Sequence, residues 1–272
     1  MPRSARDLDY VIPILDPQKF KGGYSAIPVN RSDPRFHEPL IRLESVGVAY
    51  ESYYARSDGL NPPFQRRISG SREDMWVRRL LAQKLAAVNE RLRAFGAELF
   101  VLDGYRTVEC QKGLWSFYYD EARRESPDAS EDQRRRYARQ FIRDPTRFDR
   151  DDPTTWFPHT TGAAVDLTLR DLATGELLDM GSRFEEIVDE SVTDYFERQR
   201  LRGLIGEDDP RLHNRRLLHW AMTGQGLLNE TTRVYWHYDW GNQLYVRACR
   251  GLFGEAPSAA WYGYIEPPST EV

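Results

Sequence analysis

The chain opens without a clear period. Over residues 1–70 apolar residues recur singly, between prolines at 13, 17, 28, 34, 39, 62 and 63 and glycines at 22 and 23. That pattern predicts an ordered arm wrapping a core rather than a run of regular elements. Residues 71–95 change character: Val77, Leu80, Leu81, Leu85, Val88, Leu92 and Phe95 fall at helical spacing. Ser71 with Asp74 resembles a capping pair, and Gly96 supplies a stop. A short apolar strand follows at Leu99 to Leu102, then the turn Asp103-Gly104-Tyr105-Arg106.

Residues 113–156 are dense in Arg, Asp and Glu with interleaved aromatics, and read as solvated helices forming a flap or insertion. Segments 163–169 and 176–180 read as two strands joined around Thr174-Gly175. Residues 210–222 read as a helix, with Asp209 as N-cap and Pro210 in the first turn. RVYWHY at 233–238 is aromatic and β-branched, hence a further strand. The succession predicts a single α+β domain over 1–272, with a central antiparallel sheet flanked by helices.

Composition narrows the function classes. Of 272 residues, 40% are hydrophobic and 12% aromatic, with 7 Trp, which excludes a solvated tail. No apolar run approaches ~18 residues, so no membrane span is expected. With 38 Lys+Arg against 42 Asp+Glu the net charge is −4, which argues against a nucleic-acid partner. The basic cluster from Arg134 to Arg139 is flanked by acids and reads as a solvated helix face. Two cysteines, Cys110 and Cys249, make no disulfide framework, and the first residues carry no secretory pattern; a cytoplasmic setting is expected.

Few residues remain that can do chemistry. Of 5 His, His37, His213 and His219 read as solvated or capping residues. His159 opens HTTGAAVDLTL, with small Gly162 and Ala164 behind it and Asp166 seven residues on, inside an otherwise apolar strand. A carboxylate there is costly unless a cation or several donors satisfy it. His237 also lies in an apolar strand. Two imidazoles and a carboxylate suit zinc with an open position, or ferrous iron, and ligand identity does not separate the two. Arg106, after a strand, could stabilise an oxyanion in a cleft or form a surface salt bridge.

These segments together resemble the D-alanyl-D-alanine dipeptidases, zinc metallopeptidases of the vancomycin-resistance type. The family's Tyr-Arg turn reads GYR at 104–106, its S-x-H-x-x-G-x-A-x-D segment reads FPHTTGAAVD at 157–166, and its E-x-W-H segment reads VYWH at 234–237. TGELLDMGSRFE at 174–185 resembles the family hairpin with the acid after it, and NRRLLHWAM at 214–222 the helix before the last motif. The resemblance implies one divalent metal on His159, Asp166 and His237, zinc in this family, with iron left as the alternative that the ligand set itself allows. It implies that Arg106 polarises the substrate carbonyl, that Glu185 receives a substrate amino group, and that Tyr105 and Phe157 line the substrate site. The substrate would be a small molecule or dipeptide.

Two positions depart from the pattern. The family's Glu general base is Val234 here, and its Ser two residues before the first His is Phe157. Losing a general base typically removes a factor of roughly 100 to 10,000. Glu230 and Asp239 are possible substitutes; Asp239 would share a strand face with His237, as a catalytic group or as support for the imidazole. Three readings remain open: a zinc dipeptidase, a repurposed non-hydrolytic metalloenzyme (iron oxygenase or zinc Lewis-acid chemistry on an amino-acid-derived substrate), and a metal-stabilised binding module.

Overall fold

A computed structural model describes residues 4–230 and 233–268. Its central sheet has four strands in the order β2-β4-β5-β6. β4 (Ala97–Asp103) and β5 (Ala164–Asp171) form the long antiparallel pair, and β6 (His237–Asp239) extends β5 antiparallel. The short β2 (Ala49–Tyr50) runs parallel to β4, the one departure from the expected antiparallel sheet among these pairings. A separate antiparallel ribbon joins β1 (Leu40–Arg42) to β3 (Trp76–Arg78).

Alternation along β5 sorts its side chains. Val165, Leu167 and Leu169 are fully buried in the main core with Leu99 and Val101 of β4. α1 (Arg79–Arg93) and α5 (Pro210–Thr223) pack on the sheet and against each other. Leu81, Leu85, Val88 and Leu92 of α1 and Leu217, Leu218 and Ala221 of α5 supply the apolar stripes. The helix expected from residue 71 starts at 79 instead, because residues 76–78 pair with β1. α5 matches its expected span, and the Asp209 side chain accepts from the Arg211 amide as its cap.

Three readings are corrected here. α2 (Val108–Glu125) is not solvated: Leu114, Trp115, Phe117 and Tyr118 are buried in the main core. Its charge density sits on the outer face only, and the short α3 (Glu131–Ala138) fits the expected solvated helix better, with Arg135 paired to Glu131 and Asp144. Segment 176–180 is no full strand; it follows β5 through a single bridge between Arg170 and Leu177. Strand pairing in the last motif begins only at His237, not at 233. Two further α-helices among the described residues are α4 (Tyr195–Leu201) and α6 (Gln243–Phe253).

The arm is tied by backbone groups. The amides of Ile12 and Leu15 donate to the buried carboxylates of Glu197 (3.0 Å) and Asp194 (2.7 Å). Arg78 is fully buried and donates to the carbonyls of Thr161 (2.8 Å), Phe36 (3.1 Å), Gly263 (3.0 Å) and Glu38. Its guanidinium thereby joins the arm, the turn before β5 and the C-terminal segment. Burial lowers it to about 10, which still leaves it cationic at neutral pH. Among the described residues no helix is long and apolar enough to cross a membrane.

His213 and His219 are buried, contrary to the solvated reading. The Tyr10 hydroxyl lies 2.7 Å from His219 Nδ1 and so links the arm to α5. Burial lowers the His219 imidazole to about 4, so it is neutral in the fold. A depressed histidine contributes stability above its ordinary value of 6.5 that is lost as pH falls through the folded value. Between pH 6.5 and 4 this amounts to up to about 3 kcal/mol. Urea unfolding at pH 7 and pH 4 is expected to show that loss in the wild type and to show it reduced in His219→Gln.

Candidate metal centre

Sheet register builds the centre. Asp166 on β5 sits opposite Asp103 of β4 on one side and His237 of β6 on the other. The three residues therefore share one face of the sheet. Asp239, two residues beyond His237 and opposite Ala164, lies on the same face. A register irregularity between Val101 and Asp103 accompanies the end of β4.

His159 reaches the same point from the 3₁₀ turn before β5 (His159–Thr161). That turn closes on Gly162 at φ +67°, where a Cβ would come within 2.3 Å of Leu40 Cδ2. The absent side chain is thus needed twice, for the left-handed backbone and for the close approach of β1. His159 Nδ1 is 2.9 Å from the Gly104 carbonyl and 3.1 Å from Asp103 Oδ2. Donation there leaves Nε2 as the lone-pair nitrogen. Nε2 lies 3.3 Å from Asp166 Oδ2 and 3.2 Å from His237 Nδ1, while His237 Nδ1 lies 2.8 Å from Asp166 Oδ1. One donor atom from each of His159, Asp166 and His237 falls within 4.8 Å of the others.

The electrostatics follow from this crowding. Burial would raise the Asp166 carboxyl, yet the two imidazoles hold it well below the usual carboxylate range. Burial would lower His237, but the carboxylates of Asp239 and Asp166 hold it well above the ordinary histidine value. Asp239 Oδ2 is 3.0 Å from His237 Nε2, the ring nitrogen on the far side from Asp166, though off the direction of a good hydrogen bond. Asn242 anchors the other Asp239 oxygen at 2.6 Å. Two imidazoles and one buried carboxylate, with a carboxylate behind one ring and a carbonyl behind the other, fit a divalent ion with N and O preference.

Arg106 is buried at the rim of this cluster. It pairs with Asp103 (2.7 Å), lies 3.7 Å from Asp166, and donates to Gln111 (3.1 Å) and to the Tyr54 hydroxyl (3.2 Å). The surface-salt-bridge alternative for Arg106 is thereby removed. The same Tyr54 hydroxyl donates to Glu185 Oε1 at 2.6 Å, and Tyr118 donates to Oε2 at 3.1 Å. Burial pushes the Glu185 carboxyl up, against the lowering effect of Tyr54 and Arg106. Glu185 holds φ +65°, a left-handed conformation unusual for a side-chain-bearing residue.

A cavity of 220 Å³ lies over these groups, lined by His159, Asp166, His237, Arg106, Glu185, Phe157 and Val234 among others. Tyr105 does not line it. Its hydroxyl donates to the Ile265 carbonyl at 3.0 Å. Glu230 is also outside the lining and is locked to Arg247, with 2.7 Å between Oε2 and Nε. Sequence reasoning missed Asp103, Tyr54, Gln111, Tyr118 and Arg143. Asp103 stood in the turn already singled out; the others carry no local motif.

Comparison with known proteins gives the family. The family model described as D-ala-D-ala dipeptidase, peptidase M15, matches residues 43–251. The chain belongs to that peptidase family. A D-alanyl-D-alanine dipeptidase of Synechocystis sp. is 31% identical over 121 residues, covering 42% of this chain and 46% of that relative. The aligned part thus spans under half the length of the curated relative. Among solved structures, a zinc complex of a mutant of the vancomycin-resistance D,D-pentapeptidase VanY, from a VanB-type cassette, is 14% identical, covers 86% of this chain and 97% of its own, and gives a TM-score of 0.40. VanYB in complex with D-alanine-D-alanine is 15% identical over 75% of this chain and 94% of its own, at a TM-score of 0.34.

The carboxylate behind His237 generates a prediction. Asp239→Asn is expected to weaken zinc binding about 10–100-fold while leaving the fold intact. Competition with a chromophoric zinc chelator reads the affinity, and circular dichroism reads the fold.

Proposed function

We propose that this chain is a zinc-dependent hydrolase of small peptides, with D-alanyl-D-alanine-like dipeptides as the first substrate class. The observation that carries the reading is the convergence of His159 Nε2, Asp166 and His237 Nδ1 beside a buried Arg106 in one cavity. A volume of 220 Å³ is below the ~300–1,000 Å³ of sites for drug-sized ligands, so a small substrate fits. Membership in the peptidase family supports the reaction class. The reading includes a cytoplasmic setting, where the buried thiols Cys110 and Cys249 stay reduced.

His159, Asp166 and His237 would hold the ion. When bound, zinc supplies Lewis acidity at the scissile carbonyl and makes a coordinated water acidic. Arg106, fixed by Asp103, Gln111 and Tyr54, places a permanent cation where the carbonyl oxygen gains charge. Glu185 offers a carboxylate for the substrate ammonium. Asp239 orients the His237 ring and is a positioning residue, because it faces the nitrogen turned away from the cluster.

Val234 lines the cavity where a general base would stand. Among the described residues, Asp166 and Glu185 are the carboxylates of the lining, so Glu185 is also the group placed to accept a proton. The same valine favours a second reading, a non-hydrolytic metalloenzyme, and the two separate experimentally. Anaerobically purified protein is analysed for metal and assayed against D,D, L,D and L,L dipeptides. Zinc with dipeptide turnover that is lost in His159→Ala supports the hydrolase. Iron with oxygen consumption and no peptide cleavage replaces it with the second reading. Val234→Glu is expected to raise zinc-dependent dipeptide hydrolysis by roughly 100-fold or more, since it restores a proton acceptor. An unchanged rate in a folded, zinc-loaded variant counts against the hydrolase.

A further inference from the structure

The cavity over the metal centre does not end at its own walls. Tyr24, Phe141, Ile142 and Arg143 line it and also line a second depression of 770 Å³. That outer depression adds Arg139, Arg147 and Arg233, against Asp144 as the one carboxylate in its lining. A chain with a net charge of −4 has thus gathered arginines at the mouth of its site. Fields of one sign in a cleft concentrate ligands of the opposite sign.

Arg143 stands where the two spaces meet, and it is held rigidly. Nη1 donates to the Trp156 carbonyl at 3.1 Å and Nη2 to the Thr154 carbonyl at 2.7 Å. The guanidinium lies 4.8 Å from the Tyr24 ring centre and 5.8 Å from that of Phe157. Its backbone carbonyl accepts from Gln111 Nε2 at 2.9 Å, and Gln111 Oε1 accepts from Arg106. Carbonyls and ring faces fix a guanidinium without neutralising it, and among the described residues Arg143 forms no ion pair with a carboxylate. A preorganised, uncompensated guanidinium with N–H donors to spare is a receptor for an oxyanion. Arg147 is exposed and also forms no ion pair among the described residues.

We propose that Arg143 is a specificity residue that seats an anionic group of the substrate, and that the arginine-lined depression accommodates further negative charge beyond it. The substrate is then a small peptide with a free carboxylate or another oxyanion at the end facing Arg143. The proposal rests on the peptidase reading for the identity of the reacting bond only; the anion site stands on its own contacts.

Binding of D-alanyl-D-alanine, its C-terminal amide and D-alanyl-D-glutamate to zinc-loaded protein tests it, with pyrophosphate as a non-peptide probe. The acid is expected to bind about tenfold or more tighter than the amide. D-alanyl-D-glutamate is expected to gain further at low salt and to lose that gain as salt rises. Arg143→Gln is expected to bring acid and amide within about twofold, and Arg143→Lys to recover part of the preference. Equal binding of acid and amide by the wild type, or a preference that survives Arg143→Gln at an unchanged Tm, overturns the proposal. If that variant fails to fold, Arg147→Glu takes its place: it is expected to weaken D-alanyl-D-glutamate at least threefold more than the amide, and no difference overturns the proposal. Arg143-dependent pyrophosphate binding without any dipeptide binding would remove the peptidase reading and leave the anion site standing.

Discussion

The structure is organised around the need to keep one buried carboxylate charged. Asp166 sits in the middle of an apolar strand, flanked by Val165 and Leu167, which are fully buried in the core. A lone ionised carboxylate in that setting would be expelled or protonated. Sheet register answers the problem by placing His237 on one neighbouring strand and Asp103, with Arg106 three residues on, at the other. A slip of one residue between β5 and β6 would turn Asp166 or His237 into the hydrocarbon core. The apolar alternation that builds the sheet therefore also aims the site.

From that carboxylate the surrounding polar groups form a connected chain. Asp103 touches both Arg106 and His159, Arg106 meets the Tyr54 hydroxyl, and Tyr54 with Tyr118 holds Glu185. Each group is buried or part-buried, so each bond is strong because the local dielectric is low. The cost is that removing one member leaves its neighbours without partners. A site built this way is rigid, and changes in its chemistry are tolerated best at members outside the chain. Val234 is such a position: its apolar side chain borders the cavity, while its polar contacts run through the main-chain carbonyl, which accepts from Thr193 and Asn229.

Much of this was legible before any coordinates. α5 was bounded to within a residue because Asp209 and Pro210 are local signals and the helix obeys them. His159, Asp166 and His237 stand out as polar groups in apolar or small-residue segments, and it is the motif resemblance that joins them into one set. The start of α1 lies later than its spacing suggests, because helical spacing in Val77 and Leu80 cannot reveal that residues 76–78 are captured by β1. α2 reads as a solvated flap because its charges are dense and interleaved with its apolar residues, although Trp115, Phe117 and Tyr118 are buried in the core. Tyr54, Tyr118 and Arg143 were missed for a related reason: each is brought to the site by tertiary packing from a segment with no motif.

Arg78 shows how sequence freedom and architectural constraint can coexist. Its partners at Phe36, Glu38, Thr161 and Gly263 are all main-chain carbonyls. Every amino acid offers that same oxygen. The guanidinium consequently dictates the path that three distant stretches of chain must follow while leaving their side chains unspecified. This contact therefore fixes trajectories only, and particular letters in those stretches are held by other neighbours, as at Gly263, where a Cβ would come within 2.1 Å of Trp156.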